Sequence, residues 1–259
     1  MNQSAIERAA AVLASEDDSP LKVLVCAGSG LSAESGVPTF RGPDGMFRDP
    51  EIATLTQVTT FESESDRLRM LRWYQERRDK LDTIDPNPGH QALIELARTG
   101  DYTVATQNVD HLLEAAADEA GFRPPICHLH GSLLEVRCHH CGHSFEDLTL
   151  DLGELPKCER CEGPLRPGVV WFGESLPVKA LEVSNKAARD ADVCIVVGTS
   201  GLVQPAAALP EIARRYGARL IEINPNESAL SDICHILIRD KAGSALPALL
   251  EEVRRRRGA

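Results

Sequence analysis

Short apolar runs alternate along the chain with stretches whose apolar residues recur at helical spacing. The runs typical of buried strands each end at a small or polar residue, and they read "LKVLVCAG", "YTVATQ", "DVCIVVGTS", "RLIEINP" and "HILI". The stretches with helical spacing read "PGHQALIELARTG", "HLLEAAADEA", "PAAALPEIARRYG" and "SALPALLEEVRRRR". This alternation predicts an α/β fold in which helices cover both faces of a parallel sheet and ligands bind at the carboxyl ends of the strands.

Two stretches interrupt the alternation. Residues 46–84 have a largely helical and charged pattern, and residues 136–166 are rich in Cys, His, Gly and Pro. We interpret both as insertions that together form a second, smaller domain. The remaining residues, 1–45, 85–135 and 167–259, then form a Rossmann-like domain around the parallel sheet.

The composition is that of an ordinary soluble globular protein, with 42% hydrophobic and 26% charged residues. The formal charge of -11 argues against general nucleic-acid binding, which needs concentrated Lys and Arg, and the basic run Arg254–Arg257 is too short to reverse that balance. No run approaches the roughly 18 to 20 apolar residues of a membrane span, and the N-terminal segment lacks the features of a secretory signal. We therefore expect a cytoplasmic protein without a specific nucleic-acid or membrane partner.

Four of the eight cysteines form two Cys-x-x-Cys pairs. Cys138 and Cys141 are followed, after sixteen residues, by Cys158 and Cys161. Such spacing supplies four thiolates to a tetrahedral Zn²⁺ ion, and four sulfurs leave no open position for water. The sequence therefore predicts one structural zinc per chain, with catalysis elsewhere. The neighbouring histidines are expected to face solvent rather than bind metal: His139, His140 and His143.

The other four cysteines lie in or beside apolar, strand-like runs. We expect them to be buried, reduced core thiols, as suits the cytoplasm. They are Cys26, Cys127, Cys194 and Cys234.

A glycine-rich loop follows the first predicted strand. In "LKVLVCAGSGLSAESGVPTFRG", Gly28, Gly30 and Ala33 have the G-x-G-x-x-A spacing expected where a backbone approaches a pyrophosphate at a helix N-terminus. The companion acid of the usual fingerprint should end a second strand about 20 residues later. The text around Asp49 reads "FRDPEIAT", which is not a strand. The loop therefore predicts a dinucleotide site that departs from the usual fingerprint.

Several motifs in a fixed order resemble those of the sirtuins, which are NAD-dependent protein lysine deacylases. They are "GSGLSAESGVPTFRG", "TQNVDHL", "HLHGSL", the paired cysteines, "RPGVVWFGE", "VVGTSGLVQPA" and "EINPNES", and they extend from about residue 20 to residue 250. The resemblance implies that the protein transfers acyl groups from lysine to NAD, giving nicotinamide, O-acyl-ADP-ribose and free lysine. Its partners would be acylated-lysine proteins or peptides.

The resemblance also implies which residues bind NAD. Ser29 departs from the family, which usually has Ala at this position. The implied NAD-binding residues are Gly28, Ser29, Gly30, Ser32, Ala33, Phe40, Arg41, Phe47, Gln107, Asn108, Asp110, Gly198, Thr199, Ser200, Asn224, Asn226 and Ala242.

His130 of "HLHGSL" matches the catalytic histidine of the family, and Asn108 and Asp110 complete the implied catalytic set. An imidazole that titrates near neutrality can take a proton from a ribose hydroxyl. His128 competes for this role, and alignment with the family favours His130.

The implied peptide site is the segment Val170, Trp171, Phe172 and Gly173. The same four residues are equally typical of an ordinary edge strand. An unpaired strand edge is also what an extended peptide needs in order to add itself as a further strand.

The basic stretch "RWYQERRDKL" has two interpretations. It is compatible with a solvated helix face, because Arg72, Glu76 and Lys80 stand four residues apart. Alternatively, Tyr74 and Arg77 match the Tyr-x-x-Arg pattern of the class III, desuccinylase-type sirtuins. Residues three apart share a helix face, and an Arg fork with a phenol suits a terminal carboxylate. We therefore expect removal of succinyl and malonyl groups in addition to acetyl.

Two other functions remain open at this point. One is protein mono-ADP-ribosylation with the same NAD, and the other is a zinc-stabilised NAD or ADP-ribose-binding module without turnover. The presence of His130, Asn108 and Asp110 disfavours the second, because a pure binder needs no base beside the ribose. The sequence leaves the oligomeric state undetermined.

Overall fold

The main sheet is parallel and has six strands. A computed structural model describes residues 3–14, 20–41, 45–81 and 83–258. The strands are β1 (Lys22–Ala27), β2 (Asp101–Thr106), β3 (Ile126–His128), β7 (Val193–Val197), β8 (Arg219–Ile223) and β9 (Ile236–Ile238), in the order β3-β2-β1-β7-β8-β9. All five neighbouring pairs are parallel, which confirms the α/β prediction. The three-residue strand β3 was not predicted, because its run is too short to show a pattern.

Two apolar cores lie on opposite faces of this sheet. Val23 and Val25 of β1 point into one core, and Leu24 and Cys26 point into the other, as the two-residue period of a strand requires. The first core is packed by α1 (Gln3–Leu13), α5 (Pro88–Ala97), α6 (Leu112–Ala120) and α9 (Ala242–Arg257). The second is packed by α7 (Val178–Asp190) and α8 (Ala208–Arg215). Helices α1 and α7 are additions to the predicted set.

The two insertions pack together around a third core. The first contains α2 (Pro50–Leu55), α3 (Val58–Glu62) and α4 (Glu64–Leu81), and the second contains an antiparallel sheet of order β5-β4-β6, formed by β4 (Gly131–Cys138), β5 (Ser144–Glu146) and β6 (Leu165–Val169). Their shared core includes Phe61, Leu71, Tyr74, Val136 and Trp171. The small sheet therefore begins before residue 136 and ends after residue 166. The division into two domains at those residues stays a prediction.

The four paired cysteines converge at one end of the small sheet. Their Sγ atoms all lie within 4.8 Å of one another. The distance is 3.5 Å between Cys138 and Cys161 and 3.8 Å between Cys141 and Cys158. A tetrahedral Zn²⁺ with bonds of about 2.3 Å requires sulfur separations of about 3.8 Å. The thiols therefore fit a structural zinc ion, as predicted.

The remaining Cys and His predictions are confirmed in part. All eight cysteines are free thiols, and Cys26, Cys127 and Cys194 are buried, but Cys234 is only half-buried and that prediction is wrong. It lies between the turn Ser231–Ile233 and β9, outside the buried strand itself. Among the zinc-module histidines, His139 does not face solvent freely. Its ring packs 4.9 Å from that of Phe61.

Three of the four arginines in the basic C-terminal run pair with carboxylates of the protein. Arg254 pairs with Glu95 of α5 at 2.8 Å. Glu252, one turn earlier in α9, binds Arg255 at 2.6 Å and Arg256 at 2.7 Å. These ion pairs reduce the repulsion between neighbouring arginines at the end of α9. Among the residues that the structure describes, no helix is both long and apolar enough to cross a membrane.

The metal can be tested through stability. We expect about one zinc per chain by elemental analysis, and chelation or Cys138→Ser should lower the melting temperature by at least about 5 °C, because several kcal/mol of metal binding support the small sheet. Cys234→Ser is the matched control, since it removes a thiol outside the cluster. A zinc-free protein with the melting temperature of the wild type would contradict the assignment.

Candidate active site

The loops that follow β1 and β7 touch each other through glycine. The N–H of Gly28 donates to the carbonyl of Val197 at 2.9 Å, and the N–H of Gly30 donates to the carbonyl of Gly198 at 2.8 Å. A Cβ added to Gly30 would lie 2.6 Å from the Cα of Gly198, closer than real atoms approach. Gly198 itself has a φ of 61°, which favours glycine. These glycines are therefore required by the contact between two loops, a reason that the fingerprint did not reveal.

The prediction that an α-helix begins directly after the glycine loop is wrong. The chain forms only a short 3-10 turn over Ala33–Ser35, which ends at Gly36 with a φ of 92°. Asp49, in the region where the usual fingerprint places an acid, instead caps α2 by accepting from the N–H of Glu51 at 2.9 Å. Amide groups for a phosphate must therefore come from the loops themselves.

The start of α5 anchors that turn. Asn87 caps α5, because its Oδ1 accepts from the N–H of Gly89 at 2.8 Å. Its Nδ2 donates to the carbonyl of Leu31 at 2.8 Å and to the Ser35 hydroxyl at 3.0 Å. One buried amide therefore joins two elements that are more than fifty residues apart in sequence.

A buried polar chain continues from this cap. The N–H of Asn87 donates to Nδ1 of His90 at 3.2 Å, so the other ring nitrogen carries the proton and donates to the Ser32 hydroxyl, also at 3.2 Å. Burial lowers the pKa of His90 to about 4, which keeps it neutral. Asn108 Nδ2 donates to the same hydroxyl at 3.0 Å, and Ser32 in turn bonds to Asp110. Oδ1 of Asn108 has no hydrogen-bond partner among the residues that the structure describes.

Asp110 is itself almost fully buried. Burial raises the pKa of its carboxyl above the ordinary value, although hydrogen bonds from the N–H of Leu112 and from Ser32 oppose this. Asn108 and Asp110 are therefore withdrawn from solvent, where hydrogen bonds to a ligand are strong.

The loops after β7 and β8 meet at Thr199. Its hydroxyl accepts from Nε2 of Gln107 at 3.0 Å, and its carbonyl accepts from Nδ2 of Asn224 at 3.0 Å. Asn226 is exposed nearby, with its N–H bonded to Oδ1 of Asn224 at 3.2 Å. Ser200 holds the same loop through its carbonyl, which accepts from Ala229. These predicted residues are therefore brought together.

The two histidines of "HLHGSL" have different surroundings. His128 Nε2 lies 2.8 Å from Glu114 Oε1, and its Nδ1 lies 3.0 Å from the carbonyl of Asn108. Burial opposes protonation of His128, but Glu114 outweighs it and raises the pKa above 6.5. His130 uses only Nδ1, which donates to the carbonyl of Gln107 at 3.1 Å. Burial, helped by the charge of Arg41, lowers the pKa of His130 below 6.5.

Aromatic rings connect the predicted NAD loop to the predicted peptide segment. Ring centroids are 5.2 Å apart for Phe40 and Phe47 and 5.7 Å apart for Phe47 and Phe172. The Arg41 guanidinium lies 5.3 Å from the Phe47 ring. Residues 42–44 of this loop lie outside the described residues. The ring contacts therefore place Phe172 next to the loop.

The peptide segment is not a regular strand. Strand β6 ends at Val169, and beyond it Phe172 forms a single bridge with Gln57 of the helical insert. The N–H of Val170 donates to the His130 carbonyl at 2.8 Å, so the segment is tied to the loop that carries His130. The Trp171 side chain is buried in the small-domain core rather than exposed to a peptide. Gly173 has a φ of 93°, which lets the chain turn away.

A largely buried ion pair between Arg166 and Glu174 holds this segment in place. Arg166 binds Glu174 through both guanidinium ends, at 2.6 and 2.8 Å, and its guanidinium lies 3.2 Å from the Trp171 ring. Glu174 also accepts from the N–H of Trp171 at 2.8 Å. Burial raises the pKa of Glu174, but Arg166 outweighs it, and the net shift is downward. The pair therefore fixes the turn that presents Phe172.

Tyr74 and Arg77 lie on α4, beside the same segment. Tyr74 is buried, with its ring 6.1 Å from that of Trp171, and burial raises the pKa of its phenol. Arg77 is half-buried and reaches Sδ of Met46 at 3.6 Å, so its side chain touches the loop that carries Phe47. Burial lowers the pKa of Arg77 to about 10, and it remains charged near neutrality. Among the described residues, no carboxylate lies at ion-pair distance from it.

A sequence model of the Sir2 family matches residues 28–205. The chain belongs to the Sir2 family. It is 44% identical over 230 residues to the protein called NAD-dependent protein deacylase 1 of Archaeoglobus fulgidus, covering 88% of this chain and 91% of that relative. It is 40% identical over 244 residues to the NAD-dependent protein deacylase of Aquifex aeolicus, covering 92% and 98%. The predicted resemblance is confirmed.

A solved complex of a Sir2 homologue with NAD has the same fold. It is 42% identical to this chain, with a TM-score of 0.82 over 96% of this chain and 94% of that one. The residues present here fit NAD, because loop amides and hydroxyls suit a pyrophosphate and the Asn108–Asp110 region suits a carboxamide and ribose hydroxyls. Ala242 lies at the buried start of α9, where a Cβ added to Gly89 would be 3.0 Å from the Ala242 carbonyl oxygen.

Several residues that shape this Sir2 site were missed in the sequence. Asn87 had a signal, since Asn before Pro at the start of a helical pattern indicates an N-cap. His90, Arg166 and Glu174 had none, because nothing in a local pattern shows that their partners come from distant strands and loops.

The contact between the glycine loops can be tested with one methyl group. Gly30→Ala should weaken NAD binding at least about tenfold, because overpacking against the backbone of Gly198 costs about 1 to 3 kcal/mol and displaces the loop. Calorimetric titration with NAD measures the affinity, and a melting curve shows whether the remaining fold is retained. An unchanged affinity would contradict the need for glycine here.

Proposed function

We propose that the protein is an NAD-dependent protein lysine deacylase that removes acetyl groups and, with preference, succinyl and malonyl groups. The observation that carries the proposal is the state of His130. Its Nδ1 is held by the Gln107 carbonyl, and its Nε2 has no hydrogen-bond partner among the described residues. This neutral, oriented imidazole stands among the residues that fit NAD.

His130 is suited to act as a general base. Because Nδ1–H donates to a carbonyl, the lone pair lies on Nε2, and the lowered pKa keeps the ring unprotonated at pH 7. Such a nitrogen can take a proton from a hydroxyl placed within hydrogen-bond distance. Bound NAD supplies the ADP-ribose that accepts the acyl group as nicotinamide leaves. His128 is unsuited to this role, since Glu114 occupies its second nitrogen.

The chain around His130 would orient the substrates. Ser32, His90 and Asp110 hold Asn108 so that its Oδ1 can accept a hydrogen bond from a carboxamide or hydroxyl. The segment at Phe172 supports binding of an acylated-lysine peptide beside this site, since it joins the NAD loop to the turn between α2 and α3. Trp171 would contribute through its packing and its backbone.

Tyr74 and Arg77 support the preference for acidic acyl chains. Arg77 keeps a charge in a half-buried position, and no carboxylate of the described residues lies at ion-pair distance, so a carboxylate on the substrate can become its partner. Acetyl-lysine leaves this charge unpaired and is the weaker substrate. The acidic overall charge and eight free thiols support a cytoplasmic protein that acts on proteins rather than on nucleic acid.

One incubation separates deacylation from the two other functions. With labelled NAD and an acyl-lysine peptide, deacylation gives acyl-ADP-ribose and nicotinamide. Label on protein would indicate mono-ADP-ribosylation, and absence of any product would indicate a binding module.

The role of His130 predicts both a loss and a pH profile. His130→Ala should abolish deacylation without unfolding the protein, because the change removes a base and little core volume. In the wild type, kcat/KM should be flat near pH 7 and fall only below about pH 6.5, since the neutral form is required and its pKa is lowered. Activity within tenfold of wild type would refute the assignment.

The role of Arg77 is tested by its removal. Arg77→Met should lower desuccinylation at least about thirtyfold and spare deacetylation, because loss of one partner of a buried charged hydrogen bond costs about 2 to 5 kcal/mol. Arg72→Met is the matched control, since Arg72 is exposed on the same helix. If both activities fall together, Arg77 is part of the helix surface and does not recognise the acyl group.

A further inference from the structure

The indole of Trp73 lies against the guanidinium of Arg77. The guanidinium carbon of Arg77 is 3.2 Å from the centroid of the Trp73 ring. The two residues stand four apart on α4, which places them on one helix face. Arg77 Nη1 also donates to the carbonyl of Trp73 at 2.8 Å. Arg77 is therefore held by the face and the backbone of a single residue.

This arrangement stabilises a cation without neutralising it. A carboxylate partner from the protein would have to be displaced by an acidic substrate, whereas an aromatic face offers attraction and leaves the formal charge in place. A guanidinium is weakly hydrated and planar, so it tolerates partial burial on a ring. The charge of Arg77 thus remains available to a ligand.

The stack also leaves the donors of Arg77 accessible. Of its five N–H groups, one bonds to the Trp73 carbonyl and one to Sδ of Met46. The others have no partner among the described residues. Because a stacked guanidinium presents its N–H groups in the plane of its edge, they remain free to meet a carboxylate side-on.

Trp73 also packs against a second aromatic side chain, which fixes the position of the indole. Its ring meets that of Tyr74 edge-on, at 4.7 Å and 87°. Tyr74 is in turn packed near Trp171, which lies on the Arg166 guanidinium at 3.2 Å. The indole of Trp73 therefore packs on the buried ring of Tyr74, which itself packs near the buried ring of Trp171. The ring of Trp171 contacts Arg166, which pairs with Glu174. Such support holds the ring face on which the Arg77 guanidinium lies.

We propose that Trp73 is a specificity-determining residue, which positions Arg77 for the terminal carboxylate of an acidic acyl group. This inference rests on the proposed acyl preference. Trp73 lowers the entropic cost of ordering the Arg77 side chain when substrate binds. It does not contact the reacting atoms in this proposal. Its effect should therefore appear in the binding of acidic acyl chains and not in the chemical step.

The test compares two substrates and three variants. Trp73→Leu should raise KM for a succinyl-lysine peptide about tenfold, equal to about 1.4 kcal/mol, and leave kcat and the kinetics of the acetyl-lysine peptide within about twofold. Trp73→Phe keeps an aromatic face and should restore KM to within about threefold of wild type. Arg72→Leu, on the exposed side of α4, controls for general loss of positive charge and should change neither substrate.

The outcomes separate this inference from the function on which it rests. A wild type that removes acetyl but not succinyl overturns both the acyl preference and the role of Trp73. If wild type removes succinyl and Arg77→Met does not, but Trp73→Leu behaves as wild type, only the role of Trp73 is overturned. Equal losses on both peptides, not restored by Phe, would show that Trp73 merely supports α4.

Discussion

The reversal of strand order between β1 and β7 is the constraint on which the site depends. Strands β2 and β3 lie on one side of β1, and β8 and β9 lie on the other side of β7, so the following loops diverge and leave a crevice. At this point the loops must still touch, and only glycine at positions 30 and 198 allows their backbones to approach. The residues after β2 and β8 then face the same crevice, and Thr199 joins them through Gln107 and Asn224.

The two insertions form a second packed unit, which meets the predicted NAD loop at Phe172. Its core is built from both insertions, and the zinc cluster stabilises the sheet on which the helical insert packs. The Arg166–Glu174 pair is costly to bury, yet both ends of the carboxylate are bonded, and the pair holds the turn from Trp171 to Glu174. The same interactions therefore stabilise the small domain and define the position of Phe172 at its border with the NAD loop.

The parts of the fold that repeat a local pattern were predictable, and those that depend on distant contacts were not. The sequences of β1, β7 and β8 are apolar runs that end at small or polar residues, so the hydrophobic pattern predicted these strands. Strand β3 has only three residues, which are too few to show such a pattern. The four cysteines were predictable because ligand spacing itself encodes the geometry. The glycine loop was recognised for the wrong reason, since the partner of Gly30 is the backbone of Gly198 rather than a helix N-terminus. Trp171 was expected at the peptide surface, but its large apolar ring is more favourably buried beside Phe61 and Arg166.

Three histidines near the site show how the fold assigns proton states without changing residue type. His90 is buried between two uncharged partners, so desolvation dominates and it remains a neutral relay between Asn87 and Ser32. His128 is only partly buried and faces Glu114, and the interaction with this carboxylate outweighs burial. His130 combines burial with a carbonyl on one nitrogen only. A general base needs a neutral ring, a fixed tautomer and an open nitrogen together, and of these three rings only His130 has all of them.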